Sequence, residues 1–153
     1  VKNLTVLSNN IANFRATPVN IKDCGSVVFI KNQVSGKQTS GVVSQPSLVS
    51  IVNCQYIYVG DNDLVGNVDA ARRFDSGLVT SAPRIEIERN KIHGMSGKAI
   101  AADSLIPGVY LKLHGNYFYD NILLSPYSWE KSSISIGSNF ELLSEIIDIL
   151  HHQ

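Results

Sequence analysis

The chain has 153 residues, enough to bury a hydrophobic core within one domain. Lysine and arginine together number 13, and aspartate and glutamate together also number 13, so the formal net charge is zero. This balance argues against binding to nucleic acid or to an anionic membrane surface, because either partner would favour an excess of basic residues. No apolar run approaches the length of a membrane-spanning helix.

A pattern of apolar-x-apolar-x-x-Asn-x-apolar recurs along the chain at intervals of 23 to 30 residues. The copies occupy residues 4–11, 27–34, 57–64, 85–92, 111–118 and 134–141, the last with Glu141 in place of the final apolar residue. Apolar residues two positions apart share one face of a strand, and Asn tolerates the left-handed backbone of a tight turn. Each copy therefore predicts a strand, a turn at Asn and a second strand.

Another short apolar strand precedes each copy after the first, and we call these the leading strands. Their apolar residues are Val19 and Ile21, Val49 and Ile51, Leu78 and Val79, Ile100 and Ala102, and Ile122 and Leu124. Three short strands per repeat predict a solenoid whose stacked strands set the six Asn in one column, about 4.8 Å apart. An antiparallel β-sandwich is the alternative, but it gives no reason for Asn to recur at a fixed offset.

The six Asn-turn copies, which span about residues 1 to 140, resemble the pectin-lyase-like superfamily of right-handed parallel β-helices. The resemblance implies an all-β fold of about six coils, with the Asn column in the turn between the second and third strands of each coil. It also implies a substrate-binding sheet of leading strands, flanked by long loops at 36–46 and 66–76. The sheet is expected at about 17–23, 47–53, 77–81, 98–103 and 121–125.

The resemblance also suggests a function, since many members of that superfamily cleave or remodel polysaccharides and others are phage tailspikes. The chain is therefore expected to be part of a glycoside hydrolase or polysaccharide lyase, secreted or exposed at a surface. A non-catalytic carbohydrate-binding or structural segment, such as part of a tailspike or adhesin, is the alternative. The expected partner is a polysaccharide or oligosaccharide, and a homotrimer is a further option.

A short amphipathic helix over 139–151 is predicted to close the last coil, in a single domain spanning 1–153. Ser138 and Glu141 form a capping box, and apolar residues follow at helical spacing. An oligomer contact is the alternative for this apolar stripe. No comparable cap precedes Leu4, so the chain is expected to be the C-terminal portion of a longer protein with further coils upstream.

Candidate site residues lie at the margins of the sheet of leading strands, because its predicted outward positions carry no acidic residue. Those outward positions are Asn20, Lys22, Ser50, Val52, Thr80 and Ala101. The catalytic carboxylates are predicted to be Asp69, Asp75 and Asp103. The sugar-binding residues are predicted to be Arg72, Arg73, Lys22 and Asn20. A solvated loop with local ion pairs is the alternative for residues 69–75.

Two other groups of residues have weaker chemical signals. Asp61 and Asp63 flank Asn62, but a calcium loop needs more oxygen ligands, so turn roles are predicted, with no metal ion and no cofactor. Cys24 and Cys54 each precede a copy by three residues, which predicts a stack of buried thiols and leaves a disulfide open.

Aromatic residues fall at several outward strand positions. They are Tyr56, Tyr58, Tyr110, Tyr117, Tyr119, Tyr127 and Trp129. Exposed rings could stack on sugars, although aromatic residues are also common in strands for reasons of packing alone.

Overall fold

A computed structural model describes residues 2–14, 17–36, 47–66, 76–95, 97–119, 121, 134–138, 140 and 147–151. These residues form β-strands and turns, so the chain is all-β over the part that the structure describes. They contain no helix, and hence none long and apolar enough to cross a membrane.

Fifteen strands follow one another within the described residues. They are β1 Asn3–Leu7, β2 Asn10–Phe14, β3 Val19–Lys22, β4 Ser26–Ile30, β5 Gln33–Gly36, β6 Ser47–Val52, β7 Tyr56–Gly60, β8 Asp63–Val65, β9 Ser76–Ser81, β10 Arg84–Glu88, β11 Lys91–His93, β12 Ile100–Asp103, β13 Tyr110–Tyr119, β14 Ile134–Ile136 and β15 Ile147–His151. Most are only three to six residues long, because each needs just two or three inward apolar side chains before the chain turns.

The strands pair in parallel to form three ladders. The leading ladder has the order β14-β12-β9-β6-β3. The middle ladder joins β1, β4, β7, β10 and the first half of β13, and the trailing ladder joins β2, β5, β8, β11 and the second half of β13. Because β13 runs through both, the middle and trailing ladders form one sheet, which has ten strands when β15, a further partner of β13, is included.

Equivalent residues of successive repeats lie opposite one another in these ladders. In the middle ladder Val27 pairs with Ile57, and Ile57 pairs with Ile85. The two apolar positions of the pattern and the apolar residue after Asn all point inward, and from β4 to β11 they have no exposed surface. Burying one such side chain contributes about 1.5–3 kcal/mol, so the column of like residues is the hydrophobic core.

The Asn residues of five repeats form one hydrogen-bonded column, as the sequence predicts. The column contains Asn9, Asn32, Asn62, Asn90 and Asn116. The backbone N–H and the side-chain Nδ2 of each Asn donate to the Oδ1 of the next, at 2.8–3.0 Å for the backbone donors. From Asn32 onward, Nδ2 also donates to a strand carbonyl of the preceding repeat, such as Val6 O at 2.9 Å from Asn32.

The left-handed residue of each turn is the one before Asn, so the expected conformational role of Asn is wrong. These residues are Ser8, Lys31, Asp61, Arg89 and Gly115, with φ between 51° and 66°. The residue before Asn lies at the surface, where it can adopt positive φ. Asn itself must keep the orientation in which its side-chain amide reaches both neighbouring repeats. Asn is therefore required for its hydrogen bonds rather than for its tolerance of positive φ.

The sixth copy of the pattern has a different place from the one predicted. Ile134 pairs with Ile100 and Ile136 with Ala102, so β14 belongs to the leading ladder and does not extend the middle ladder. Of the leading strand expected at 121–125, only residue 121 is described. Asn139 lies outside the described residues, so the proposed sixth member of the Asn column has no described position.

The helix predicted over 139–151 is wrong for its last five residues, which form β15. This strand pairs in parallel with β13, from Leu113 opposite Ile147 to Phe118 opposite His151. The last strand of a ladder has free backbone N–H and C=O groups, and a strand rich in β-branched isoleucine can satisfy them. The register shifts at Gly115, which leaves Ile149 opposite Asn116 and ends the amide column there.

Replacing a central member of the Asn column should destabilise the fold far more than replacing the first member. In Asn62→Ala the N–H of Asn32 loses its acceptor and the carbonyl of Phe29 loses its donor, and both groups are buried. We expect a loss of about 3 kcal/mol in the free energy of unfolding, measured by urea denaturation. In Asn9→Ala no other described Asn loses an acceptor, so about 1 kcal/mol is expected. Equal effects of the two substitutions would contradict the ladder.

Candidate functional site

The described part of the predicted site lies on the leading ladder, but its residues are well separated. Asn20 and Lys22 are exposed on β3, and Asp103 is exposed at the end of β12. Since β6 and β9 lie between β3 and β12, the two strands are three spacings apart, or about 14 Å. Asp69, Arg72, Arg73 and Asp75 lie outside the described residues, so their proposed roles stay predictions.

Asp103 has a local structural role in addition to its exposed position. Its Oδ1 accepts a hydrogen bond from the N–H of Ser104 at 2.7 Å. It also lies directly against Gly137, where any side chain at residue 137 would collide with the carboxylate. These contacts hold the carboxyl group at the edge where the chain leaves β12.

One predicted outward position of the leading ladder is wrong. Thr80 is 1% exposed, because Leu78 and Thr80 are the inward pair of β9 and Val79 points outward between them. The hydroxyl of Thr80 donates to the carbonyl of Ala101 at 3.2 Å, which satisfies a polar group in the core. Val79 lies beside Ser50 and Ala101, so the outward face of this ladder remains free of carboxylates at its centre.

Charged and aromatic side chains are concentrated on the outward side of the middle ladder instead. They occupy the positions between the inward apolar residues of β7, β10 and β13. We call this surface the middle face, and its members are Tyr56, Tyr58, Arg84, Glu86, Glu88, Tyr110 and Lys112. Because the register is fixed, these residues are neighbours across strands as well as along them.

Glu88 is the centre of a hydrogen-bonded ion-pair network on the middle face. Its Oε1 lies 2.6 Å from Nζ of Lys112, and its Oε2 accepts from the Tyr58 hydroxyl at 3.0 Å and from Nη1 of Arg89 at 3.1 Å. The residue is only 8% exposed. The hydrogen bond from Lys112 lowers the pKa of Glu88 more than any other contact, and Tyr58 and Arg89 lower it further, so the carboxylate stays ionised.

The two tyrosines of β7 are fixed by carboxylates on the next strand. The Tyr56 hydroxyl donates to Oε2 of Glu86, as the Tyr58 hydroxyl does to Glu88. Burial raises the pKa of Tyr56, and the hydrogen bond to Glu86 raises it further. The pKa of Tyr58 is raised by burial first and by Glu88 second, so both phenols remain neutral donors.

Arg84 lies between two aromatic rings at the start of β10. Its guanidinium carbon is 5.6 Å from the ring centroid of Tyr56 and 5.2 Å from that of Tyr110. The residue is exposed, and no carboxylate pairs with it among the described residues. A planar cation with several outward donors is therefore held between two tyrosines by cation–π contacts.

The charged surface continues around the Asn turn from Arg89. Its Nε lies 2.9 Å from Oδ1 of Asp61, its Nη2 lies 3.2 Å from Oδ2, and Nη2 also donates to the Tyr58 hydroxyl. The hydrogen bonds that Arg89 donates to Asp61 raise the pKa of Arg89. A shallow polar groove of about 420 Å³ runs over these turns, with Lys31 and Lys91 on its walls. The prediction of a turn role for Asp61 is confirmed, because it is the left-handed residue.

A second aromatic group lies on the trailing ladder. The His93 ring stacks on Tyr119 with centroids 4.2 Å apart, and Tyr117 lies 5.0 Å from Tyr119. Nε2 of His93 is 2.8 Å from Oδ1 of Asp63, across the strand pair β11 and β8. The contact pairs His93 with Asp63, which belongs to strand β8 although a turn role is predicted for it.

The arrangement of the middle face suits binding better than acid catalysis. Glu86 and Glu88 are two residues apart on one strand, so their Cα atoms lie about 6.6 Å apart. The lowered pKa of Glu88 opposes a role as general acid, and Lys112, Tyr58 and Arg89 already occupy both of its carboxylate oxygens. The face instead presents fixed rings, hydroxyls, carboxylates and a free guanidinium.

The sequence patterns point to the tyrosines but not to Glu86, Glu88 or Arg84. The signal was present in the variable position of the apolar-x-apolar pair, which is tyrosine, glutamate or lysine in copies three to five. Cys24 and Cys54 are buried and not bonded to each other, which confirms the predicted burial of both thiols. Among the described residues, no group of three or more histidine, cysteine or acidic side chains could hold a metal ion.

Comparison with known proteins identifies no family for this chain. No protein-family model matches it, and neither the curated proteins nor the solved structures include a significant match.

Glu88→Gln should destabilise the protein in a pH-dependent way. The folded-state pKa of Glu88 is lowered, so its ionised form stabilises the fold above the unfolded-state value of about 4.3, and this stabilisation is lost as the pH falls through the lower folded value. At pH 7 we expect the variant to lose about 2 kcal/mol in the free energy of unfolding. The difference from wild type should shrink below about pH 4.

Urea denaturation between pH 3 and pH 7 measures this effect. Glu86→Gln, on the same strand and face but half-buried with one hydrogen bond from Tyr56, is the matched control and should cost less at pH 7. A Glu88→Gln penalty of equal size at pH 3 and pH 7 would refute the assigned network.

Proposed function

We propose that this chain is a segment of a parallel β-helix from a polysaccharide-acting protein similar to the pectin-lyase-like superfamily, and that its middle face holds the glycan. The observation that carries the proposal is Arg84, exposed between Tyr56 and Tyr110 beside a network that fixes the surrounding side chains. This combination provides ring surfaces for sugars and directed donors for their hydroxyl or carboxylate groups.

Three observations support the β-helix. Strands recur in the same three-ladder order, every described pair is parallel, and the hydrogen-bonded Asn residues are 23, 30, 28 and 26 residues apart. Parallel strands of one sheet joined by crossover connections are almost always connected with a right-handed sense, which favours a right-handed coil. The parallel backbone pairing is compatible with this winding. The Asn column supports it further, because the same side-chain hydrogen bonds join each repeat to the next.

The middle face is preorganised for a ligand. Tyr58, Lys112 and Arg89 are held through Glu88, so little side-chain freedom remains for binding to remove. Strands β7, β10 and β13 lie side by side at about 4.8 Å, and an extended sugar chain can cross them and meet one set of groups per strand. Glu86 can accept from sugar hydroxyls, while Arg84 can donate to them.

Catalysis by the same protein is the second candidate, as a glycoside hydrolase or polysaccharide lyase that uses Asp69, Asp75 and Asp103. The observation in its favour is the exposed carboxylate of Asp103 at the end of the leading strand β12. Release of reducing ends or unsaturated products from a glycan panel, lost in Asp103→Asn, would support this role. Secretion and trimer formation remain predictions of the same resemblance.

Glycan binding should depend on the middle face. We expect Arg84→Ala and Tyr110→Ala each to raise the Kd for the bound glycan about tenfold, equivalent to about 1.4 kcal/mol, measured by calorimetry with a panel of neutral and acidic polysaccharides. Arg84 is exposed and Tyr110 only half-buried, so neither substitution should unfold the chain.

Asn20→Ala and Lys22→Ala are the controls, because both residues lie on the outward side of the leading ladder. They should leave the Kd unchanged. Loss of binding in these variants, with Arg84→Ala unaffected, would move the site to the leading ladder and overturn the proposal.

A further inference from the structure

A groove of about 400 Å³ runs along the turns between the leading and middle ladders. Cys24 and Cys54 lie in this groove, with Asp23 and Asn53 beside them and the apolar side chains of Leu105 and Ile106 on one wall. Both thiols are mostly buried, at 7% and 5% exposure. The groove gives a small molecule access to two cysteines that the glycan-binding proposal does not use.

The register of the flanking strands sets the two cysteines opposite each other. Before them Lys22 pairs with Val52, and after them Ser26 pairs with Tyr56. The cysteines lie at the same distance from both pairs, on strands about 4.8 Å apart. Their Cα separation therefore falls within the 4.4–6.8 Å range of protein disulfides.

The two turns also have the same backbone shape, so the side chains point in the same direction. Asp23 and Asn53 are both left-handed, with φ of 60° and 55°, and Nδ2 of Asn53 donates to Oδ1 of Asp23. Each thiol donates to the carbonyl two residues before it, at 3.6 Å for Cys24 and 3.4 Å for Cys54.

We propose that Cys24 and Cys54 form a reversible disulfide that joins the first two repeats under oxidising conditions. A small-molecule disulfide such as oxidised glutathione is the oxidant. One cysteine thiolate attacks it, forms a mixed disulfide and releases one glutathione thiolate. The second cysteine thiolate then attacks the cysteine sulfur of the mixed disulfide and releases the other. Two cysteine thiols are oxidised, one glutathione disulfide is reduced, and the two protons pass to the glutathione thiols.

Among the described repeats the first is the least buried, so such a bond has most effect there. Strands β1, β2 and β3 each pair with only one other described strand, and the inward residues Leu4 and Val6 are only half-buried. Local unfolding begins where burial and hydrogen bonding are least. A covalent link between residues 24 and 54 would hold this repeat to the fully buried repeat that follows.

Burial of the two thiols should make the Cys24–Cys54 disulfide slow to form, as expected for a structural rather than a catalytic disulfide. Burial raises the pKa of the Cys54 thiol, so the reactive thiolate is scarce at neutral pH. Oxidation should therefore become faster as the pH rises. A cysteine used in rapid redox catalysis would have the opposite shift.

The test uses the full chain incubated with oxidised glutathione at pH 7 and pH 9. We expect the intact protein to lose the mass of two hydrogen atoms, peptide mapping to give a Cys24–Cys54 link, and the midpoint of thermal unfolding to rise by about 5 °C or more. A thiol reductant should restore the original mass and midpoint. Stable glutathione adducts, dimers linked between chains, or a Cys24–Cys54 bond without a thermal shift would each overturn the proposal.

Cys54→Ala is the matched control, because the structure shows that alanine fits this column. The N–H of Cys54 donates to Ser81 O and the N–H of Ala82 donates to Asp103 O, which sets Ala82 and then Ser104 in the corresponding turns of the next two repeats. The variant should keep the reduced wild-type midpoint within about 3 °C and show no thermal response to glutathione. A rise in the thermal midpoint as large as that of wild type would contradict a stabilising disulfide between Cys24 and Cys54.

Discussion

The column of Asn amides is the constraint on which the other features of this protein depend. Each internal Asn receives two hydrogen bonds at Oδ1 from one neighbour and donates two to the other, while a third donation reaches a buried strand carbonyl. In a hydrophobic interior, an amide with a missing partner costs more than the intact bond contributes. The column therefore penalises any slip of one strand against the next, and it fixes the register of the middle and trailing ladders together.

A fixed register also determines what the surface presents. Strand side chains alternate, so the same pairing that stacks Val27, Ile57 and Ile85 in the core places the residues after them side by side outside. Tyr58 comes to lie beside Glu86 in this way, with Glu88 two residues further along the same strand. The Glu88 network and the stacked Arg84 are thus products of the repeat, because residues 24 to 31 positions apart in sequence become neighbours. A functional surface can then change by substitution at variable positions without any change in the core.

The sequence predicted the core of this structure well because its signal is periodic. Five Asn residues at one offset could be aligned without knowing the loops between them, and the inward apolar positions followed from the alternation. The prediction failed where the period was ambiguous. Ile134 and Ile136 fit the middle strand and the leading strand equally, and only pairing with Ile100 decides between them. The isoleucine-rich C-terminal residues fit one helical stripe as well as a strand, and the open edge of β13 decided for the strand.

The candidate site was less predictable than the fold for a related reason. The predicted site residues lie in the loop over residues 69–75 and at Asp103, where polar residues cluster along the chain. The middle face is a cluster across strands, and its members are single polar residues between apolar ones. Their significance depends on the register, on the side chain of the next repeat and on burial. Glu88 shows the difference, because it occupies an outward position yet is almost fully covered by Lys112, Tyr58 and Arg89.

Hydrogen exchange of the backbone amides that follow the left-handed turn residues tests the Asn column most directly. These amides belong to Asn32, Asn62 and Asn90, and each donates to a buried side-chain oxygen rather than to water. In NMR-detected exchange we predict that all three are protected about 1,000-fold or more, as strongly as the amides of β7 and β10. Exchange at the rate of exposed turn amides would mean that the Asn side chains do not bridge the repeats, and it would contradict both the register and the surface that follows from it.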